Sequence, residues 1–369
     1  MRIPPVNFRA LLDATETAWR PGLEALLARQ MFILGPELEA FERDFAASTG
    51  APHAIGVGSG SAAIELCLRH AGIVRPNQEV LTSALTAPFT GVAIAAAGCR
   101  PRFADVDPET LLLDPADAAR RITRRTAAIV PVHLYGQPCD MAAFRRLAKA
   151  ASAALIQDAC QAHGVTWNGH PLTRYSPYVC YSFYPTKNLG ALGDAGAIAT
   201  ASRSTNTALR MMRDGGRRPG TQIAQAAGIN SRLDEMQAVF LRAFLPHLNE
   251  WNAHRRHIAS LYDAAFESWP GVRLVRTAQE SVRHLYVIRV HRRDRVRAAL
   301  AAQGIGAGVH YPEPLHTMPA FRDCGLKRGD LPNAERATRE VLSLPLWPYM
   351  PEAMAEEVAA AVREAVKRA

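Results

Sequence analysis

Much of what would direct a chain of 369 residues to a membrane, a metal or a nucleic acid is missing from this one. Its six cysteines, Cys67, Cys99, Cys139, Cys160, Cys180 and Cys324, form no CxxC pair and share no ligand-like spacing. No metal site is expected, and a disulfide framework belongs to short exported chains, so the six read as buried thiols. The start, MRIPPVNFRA, lacks a charged head followed by an apolar core, so no export signal is expected. The longest mainly apolar run, Gly91 to Cys99, is far too short to span a bilayer. No low-complexity tract interrupts the chain, and no internal repeat is visible. A soluble cytoplasmic protein without a membrane partner is the expectation.

Acidic residues are also in deficit, 34 against 43 Lys and Arg, which leaves a net charge of +9. The basic clusters Arg120–Arg125, Arg213–Arg218 and His291–Arg297 are short, separate and free of interleaved aromatics. A platform for single-stranded nucleic acid needs such aromatics, so no nucleic-acid partner is expected. Solvated arginines account for the excess, with an anionic small substrate as the alternative.

What is present suits a large core: 48% of the residues are hydrophobic, enough for two domains or one with an appendage. From about residue 50 to 200, apolar runs (HAIGVGSG, EVLTSAL, RPRFADV, AAIVPVHLYG, ALIQDAC) alternate with helix-like stretches such as Met141–Ala150. That pattern predicts an α/β fold with a parallel sheet covered on both faces. Functional residues gather at the carboxyl ends of the strands in such sheets. A long helical stretch from about Arg232 carries Met236, Val239, Phe240, Phe244 and Leu248 out of this unit. Beyond it, HLYVIRV (284–290) reads as an alternating strand and Arg295–Gln303 as a helix. A last helix from Pro351 has Met354, Val358, Ala361, Val362 and Val366 on one stripe.

Three local features carry chemistry. The turn Val57–Gly58–Ser59–Gly60–Ser61 lies between a strand and a helix, where backbone N–H groups can hold an anion. It is neither a P-loop nor GxGxxG, and the same turn could serve only to change direction. Asp158 ends the apolar strand Ala154–Leu155–Ile156; it is either a cap or turn aspartate or an anion paired with a protonated ring nitrogen. The run Ser182–Phe183–Tyr184–Pro185–Thr186–Lys187–Asn188–Leu189–Gly190 sets a lysine beside an apolar strand and glycines. Partial desolvation there would lower the ammonium pKa and free a nucleophilic amine.

These segments, with others, resemble one family. The runs GSGSAAIEL, ADVDPETLLLDP, PVHLYGQPCDM, QDACQAHG, SFYPTKNLGALGDAG, GINSRLDEMQA, VHYPEPLH and LSLPLWP, in that order, are similar to the DegT/DnrJ/StrS sugar aminotransferases. The resemblance implies the pyridoxal-phosphate (PLP) transferase fold of type I. Residues 1–245 would form a large domain with a mostly parallel sheet, the first 25 or so being allowed to pack elsewhere. Residues 246–369 would form a smaller C-terminal α/β domain. It implies a homodimer with shared active sites, PLP as cofactor and no metal.

Carried over residue by residue, Lys187 would hold the cofactor as a Schiff base and act as acid and base. Asp158 would face the pyridine nitrogen, Gln161 the phenolic oxygen, and Gly60, Ser61 and Ser182 the phosphate. Asn230 would reach the phosphate of the neighbouring subunit's cofactor. His163 suits a structural or supporting role near the substrate, with direct catalysis as the alternative, and His310, Tyr311 and His316 would line the sugar side. One departure stands out: Ala87 occupies the position where family members stack an aromatic on the ring, and Phe89 is the residue that could fill the space. The implied reaction passes an amino group from L-glutamate to a keto sugar on a nucleoside diphosphate, with a 3-keto sugar favoured over a 4-keto one. A cyclitol ketone or another unusual acceptor is the alternative, and a non-catalytic regulatory homologue is the alternative of another class.

Overall fold

The computed structural model describes residues 1–218 and 220–369. Helices α1 (Phe8–Arg29) and α2 (Pro36–Thr49) precede an alternation of β1 (His53–Val57), α3 (Gly60–His70), β2 (Glu79–Ser83), α4 (Pro88–Ala96) and β3 (Arg100–Ala104). It continues through α5 (Pro115–Arg121), β4 (Thr126–Val130), α6 (Met141–Ala150), β5 (Ala154–Leu155) and β6 (Gln157–Asp158). A small hairpin, β7 (Thr166–Trp167) and β8 (His170–Pro171), leads to β9 (Val179–Ser182) and β10 (Gly196–Thr200). The helix starts follow local chemistry. Ser59 caps α3 by accepting from the Ala62 amide at 3.1 Å, and Pro88 opens α4 where a missing N–H costs nothing.

The strands run in the order β3-β2-β4-β5 and β6-β9-β10-β1. The two rows join where β5 leads into β6 and where Val132 bridges Asp158. All pairings are parallel except those of β10, which is antiparallel to both β9 and β1. The reason is connective: residues 183–195 contain no helix to carry the chain back across the sheet, so it returns in the opposite direction. That returning loop carries Lys187. β2 and β10 are buried along their whole length, as apolar strands covered on both faces should be.

Aromatic packing fixes the root of the loop. Phe183 meets the rings of Phe41 and Phe45 edge-on at 5.3 and 5.1 Å, inside a core that also holds Tyr181, Phe244 and Trp251. Removing such a ring costs about 3–5 kcal/mol.

The remainder comprises α7 (Arg203–Met212), α8 (Glu235–Phe244), α9 (Leu248–Phe266), β11 (Val272–Leu274), β12 (Tyr286–Val290), α10 (Arg293–Ala302), α11 (Pro332–Glu340), β13 (Val341–Leu344) and α12 (Glu352–Arg368). β12 lies between β11 and β13, antiparallel to both. Its alternation does not mark a wet face, because all five residues are buried. Tyr286, Ile288 and Val290 enter one core, while Val287 enters another and Arg289 pairs with Glu340. The N-terminus joins this region through the bridge of Ile3 with Ile305. Among the described residues, no helix is long and apolar enough to cross a membrane.

Candidate functional site

The carboxyl ends of β1, β6 and β9 converge on one place, and each delivers a group singled out in the sequence. At the end of β6, Asp158 is 4% exposed. Its Oδ1 accepts from the Cys160 amide at 3.1 Å, a turn contact, and its Oδ2 accepts from Thr90 Oγ1 at 2.7 Å. The aspartate is therefore both a turn residue and a carboxylate held in a fixed orientation. Thr90 is missing from the sequence reading. The available signal was its place as the sole polar side chain of α4, PFTGVAIAA.

Beside it lies the start of α3. Among the described residues, the Gly60 and Ser61 amides have no backbone or side-chain partner, so they are open donors at a helix N-terminus. Glycine is required at 60: a Cβ there would lie 2.6 Å from Cys160 Sγ and 2.8 Å from Ser182 Cβ. Gly196, opposite Ser182 in the ladder, makes the same allowance, since a Cβ there would lie 2.5 Å from the Ser59 carbonyl carbon. The helix start can thus sit directly against Ser182. Cys160 is the exception among the thiols: the other five are buried, but it is partly exposed inside this cradle.

Lys187 follows in the loop after β9. Its backbone N–H closes a turn onto the Tyr184 carbonyl at 2.8 Å. Burial lowers its ammonium pKa, opposed by the neighbouring Cys160 and by Asp158. The side chain lies deep, yet part of it stays open. No partner for its amine is found among the described residues.

On the far side, Gln161 is pinned at both ends. Its Oε1 accepts from the Tyr135 amide at 2.8 Å, and its Nε2 donates to the Tyr311 hydroxyl at 2.9 Å. Tyr311 is therefore brought to the site, its hydroxyl pKa raised by burial against the opposing Gln161 bond. His310 sits behind it, Nδ1 2.9 Å from Ser343 Oγ. Burial and then the charge of Lys187 push His310 down to about 4.

Other expected residues lie elsewhere. His316 does not line a pocket: it is 2% exposed, with Nε2 3.1 Å from Glu335 Oε1, which also accepts from the Gly329 amide at 2.7 Å. It braces the segment leading into α11. His163 is fully enclosed between Tyr181 and Phe183, and both ring nitrogens lack partners. Burial, then Lys187, lowers it to about 3; enclosure removes it from substrate contact. Phe89 does not take the place left by Ala87, because it points outward from α4 and is 65% exposed. Asn230 is exposed, in a surface recess with Gly58, Ser59, Ile229 and Arg232. His284 and Asn188, both buried near Lys187, are further residues the sequence reading missed.

The chain is 40% identical over 369 residues to the dTDP-3-amino-3,4,6-trideoxy-alpha-D-glucose transaminase of Streptomyces venezuelae, covering 100% of this chain and 97% of that one. It is 42% identical to a Geobacillus stearothermophilus protein called the pleiotropic regulatory protein, covering 99% of this chain and 98% of that one. The crystal structure of S. venezuelae DesV in complex with a ketimine intermediate superposes with a TM-score of 0.95, at 39% identity, covering 100% of this chain and 99% of that one. Residues 15–363 match the model of one family, and the chain belongs to it: the DegT/DnrJ/EryC1/StrS aminotransferases.

Proposed function

We propose that the protein is a PLP-dependent aminotransferase that moves an amino group from an amino acid, L-glutamate by family analogy, to a keto sugar linked to a nucleoside diphosphate. One observation carries this reading: the desolvated Lys187 amine, which feels the charge of the fixed Asp158 carboxylate, follows the strand whose Ser182 abuts the open amides of Gly60 and Ser61. Those three groups fit the aldehyde, the pyridine nitrogen and the phosphate of PLP. When bound, the cofactor supplies an aldehyde for the nitrogen in transit and an electron-withdrawing ring.

The chain's own residues do the rest. The first turn of α3, with Ser182, holds the phosphate through N–H and O–H donors aided by the helix dipole. Asp158, kept in place by Thr90, would pair with the ring nitrogen and favour its protonated form. Gln161, oriented by the Tyr135 amide and the Tyr311 hydroxyl, would offer its remaining amide N–H to the phenolic oxygen. Lys187 Nζ takes the proton from the substrate carbon and returns it, a role for which a lowered pKa is suited. Tyr311 would face the acceptor, with His310 behind it. The name of the S. venezuelae transaminase favours a 3-keto sugar.

The regulatory reading gains from the name of the Geobacillus relative. A regulator, however, has no need of a desolvated lysine, an oriented carboxylate and an open phosphate cradle in one place. Pairing of two copies is supported by exposed apolar side chains at Phe32, Ile33 and Met236 close to the Asn230 recess. Asn230 is the residue that would reach across. We place the division between the two domains at 245/246 and the protein in the cytoplasm.

The test is glutamate-dependent amination of a panel of nucleotide-linked 3-keto and 4-keto sugars and cyclitol ketones. Turnover of a nucleotide-linked keto sugar, with release of 2-oxoglutarate, is the expected result. Turnover of none, or of a cyclitol alone, would overturn the assignment.

A further inference from the structure

Asn188, next to Lys187 in sequence, is only 1% exposed. Its carboxamide is fully engaged. Nδ2 donates to Asn252 Oδ1 at 2.7 Å and to the Val282 carbonyl at 2.9 Å, and Oδ1 lies 3.0 Å from His284 Nδ1. None of these orientations is free. Asn252 Nδ2 donates to the His163 carbonyl at 2.9 Å, so Asn252 must present its oxygen to Asn188. Two oxygens then face Asn188 Nδ2, and only the Asn188 oxygen is left for His284. His284 Nδ1 must therefore carry the proton, and Nε2 is bare. A row of carbonyl groups fixes the tautomer of a histidine that touches the lysine's neighbour.

The clamp is also fixed from behind. The His284 amide donates to the Tyr135 carbonyl at 2.9 Å and the Val282 amide to the Gly136 carbonyl at 2.8 Å. Gly136 has φ +86°, and a Cβ there would lie 2.8 Å from the His284 nitrogen, so the approach is possible only at glycine. Burial first, then the charges of Lys187 and Arg255, keep the imidazole neutral, so the donor does not change character through the neutral pH range.

We infer that His284 is a positioning residue for Lys187: by donating Nδ1–H to Asn188 it locks the turn that presents the lysine amine. Asn252 lies in α9 and His284 just before β12, so elements remote in sequence set the lysine's position. This rests on the reading of Lys187 as the cofactor-bearing lysine.

Two substitutions separate the donated proton from the bulk of the ring. In His284→Asn, the amide nitrogen stands where Nδ1 stood; His284→Leu fills similar space without a donor. Both are compared with wild type as holoenzymes, by kcat, KM and the pH titration of the visible band of the lysine-bound cofactor. The leucine variant is expected to keep its cofactor, shift the titration midpoint and lose about 10- to 100-fold in kcat with little change in KM. The asparagine variant is expected to recover most of both. A leucine variant matching wild type in kcat and titration overturns the inference, as does an asparagine variant equally impaired. If the leucine variant does not fold, Asn188→Ser, which withdraws the acceptor, takes its place with the same expected fall and the same overturning result. A wild type lacking the visible band overturns the cofactor reading itself; a wild type that has it, beside an unaffected leucine variant, overturns this inference alone.

Discussion

The cofactor cradle and the wall facing it are built in different ways. The cradle comes from three strand ends and one helix start within residues 57–190, where a parallel sheet converges its loops by construction. The facing wall comes from residues 284–316, far along the chain, and packing decides which side chains turn inward. Of its histidines, His310 reaches the surroundings of Lys187 while His316, six residues on, is sealed against Glu335. Topology places the cradle; side-chain packing selects the wall.

Substitutions in the cradle should therefore affect chemistry, and those in the wall should divide between recognition and stability. Lys187→Ala is expected to abolish transamination while leaving the fold intact, as read by activity and circular dichroism. Asp158→Ala should lower kcat about 100-fold or more, the scale for losing one preorganised electrostatic partner. Thr90→Val, which removes only the hydroxyl at 2.7 Å, should lower it roughly tenfold, about 1.4 kcal/mol and so near the lower end for a hydrogen bond to a charged group. If Thr90→Val equals Asp158→Ala, the carboxylate's orientation counts for as much as its charge.

The wall yields a smaller, two-sided contrast. Tyr311→Phe should alter acceptor KM with little change in melting temperature, because its hydroxyl meets Gln161 at the site. His316→Ala should lower stability by about 1–3 kcal/mol, because buried Glu335 would lose its side-chain partner and keep only backbone donors such as the Gly329 amide, with KM unchanged. The reverse pattern would move the wall's boundary.

The smallest effect concerns pH. Burial holds the Lys187 pKa below 10.5 in the folded apoprotein. Between that lowered value and 10.5, the unfolded chain binds more protons than the folded one. This group's contribution to stability therefore rises with pH across that window and is a penalty below it. Denaturant unfolding of the apoprotein against pH should show the difference between wild type and Lys187→Met changing with that sign.

Much of the cradle was legible because its elements are short in range. Alternating apolar runs gave the strands, a Gly-Ser turn gave the helix start, and a lysine between apolar and glycine-rich segments marked the candidate nucleophile. Antiparallel β10 could be read only from the lack of a helix in residues 183–195. Thr90 could have been found as the lone polar residue of α4. The His284–Asn188–Asn252 clamp could not, because its three side chains come from separate elements and each alone looks like an ordinary polar residue. Phe89 and Ala87 mark the other limit, since resemblance to the family assigns a position but not the direction in which a neighbouring side chain points, and Phe89 points outward.

The chain contains just four lysines, and Lys149, Lys327 and Lys367 are exposed. This makes one measurement decisive: reduce the PLP-loaded protein with borohydride, digest it and map the modified peptide by mass spectrometry. The expected result is a single pyridoxyl group on Lys187. A label on one of the three exposed lysines, or no label in a correctly folded protein, would contradict the assignment.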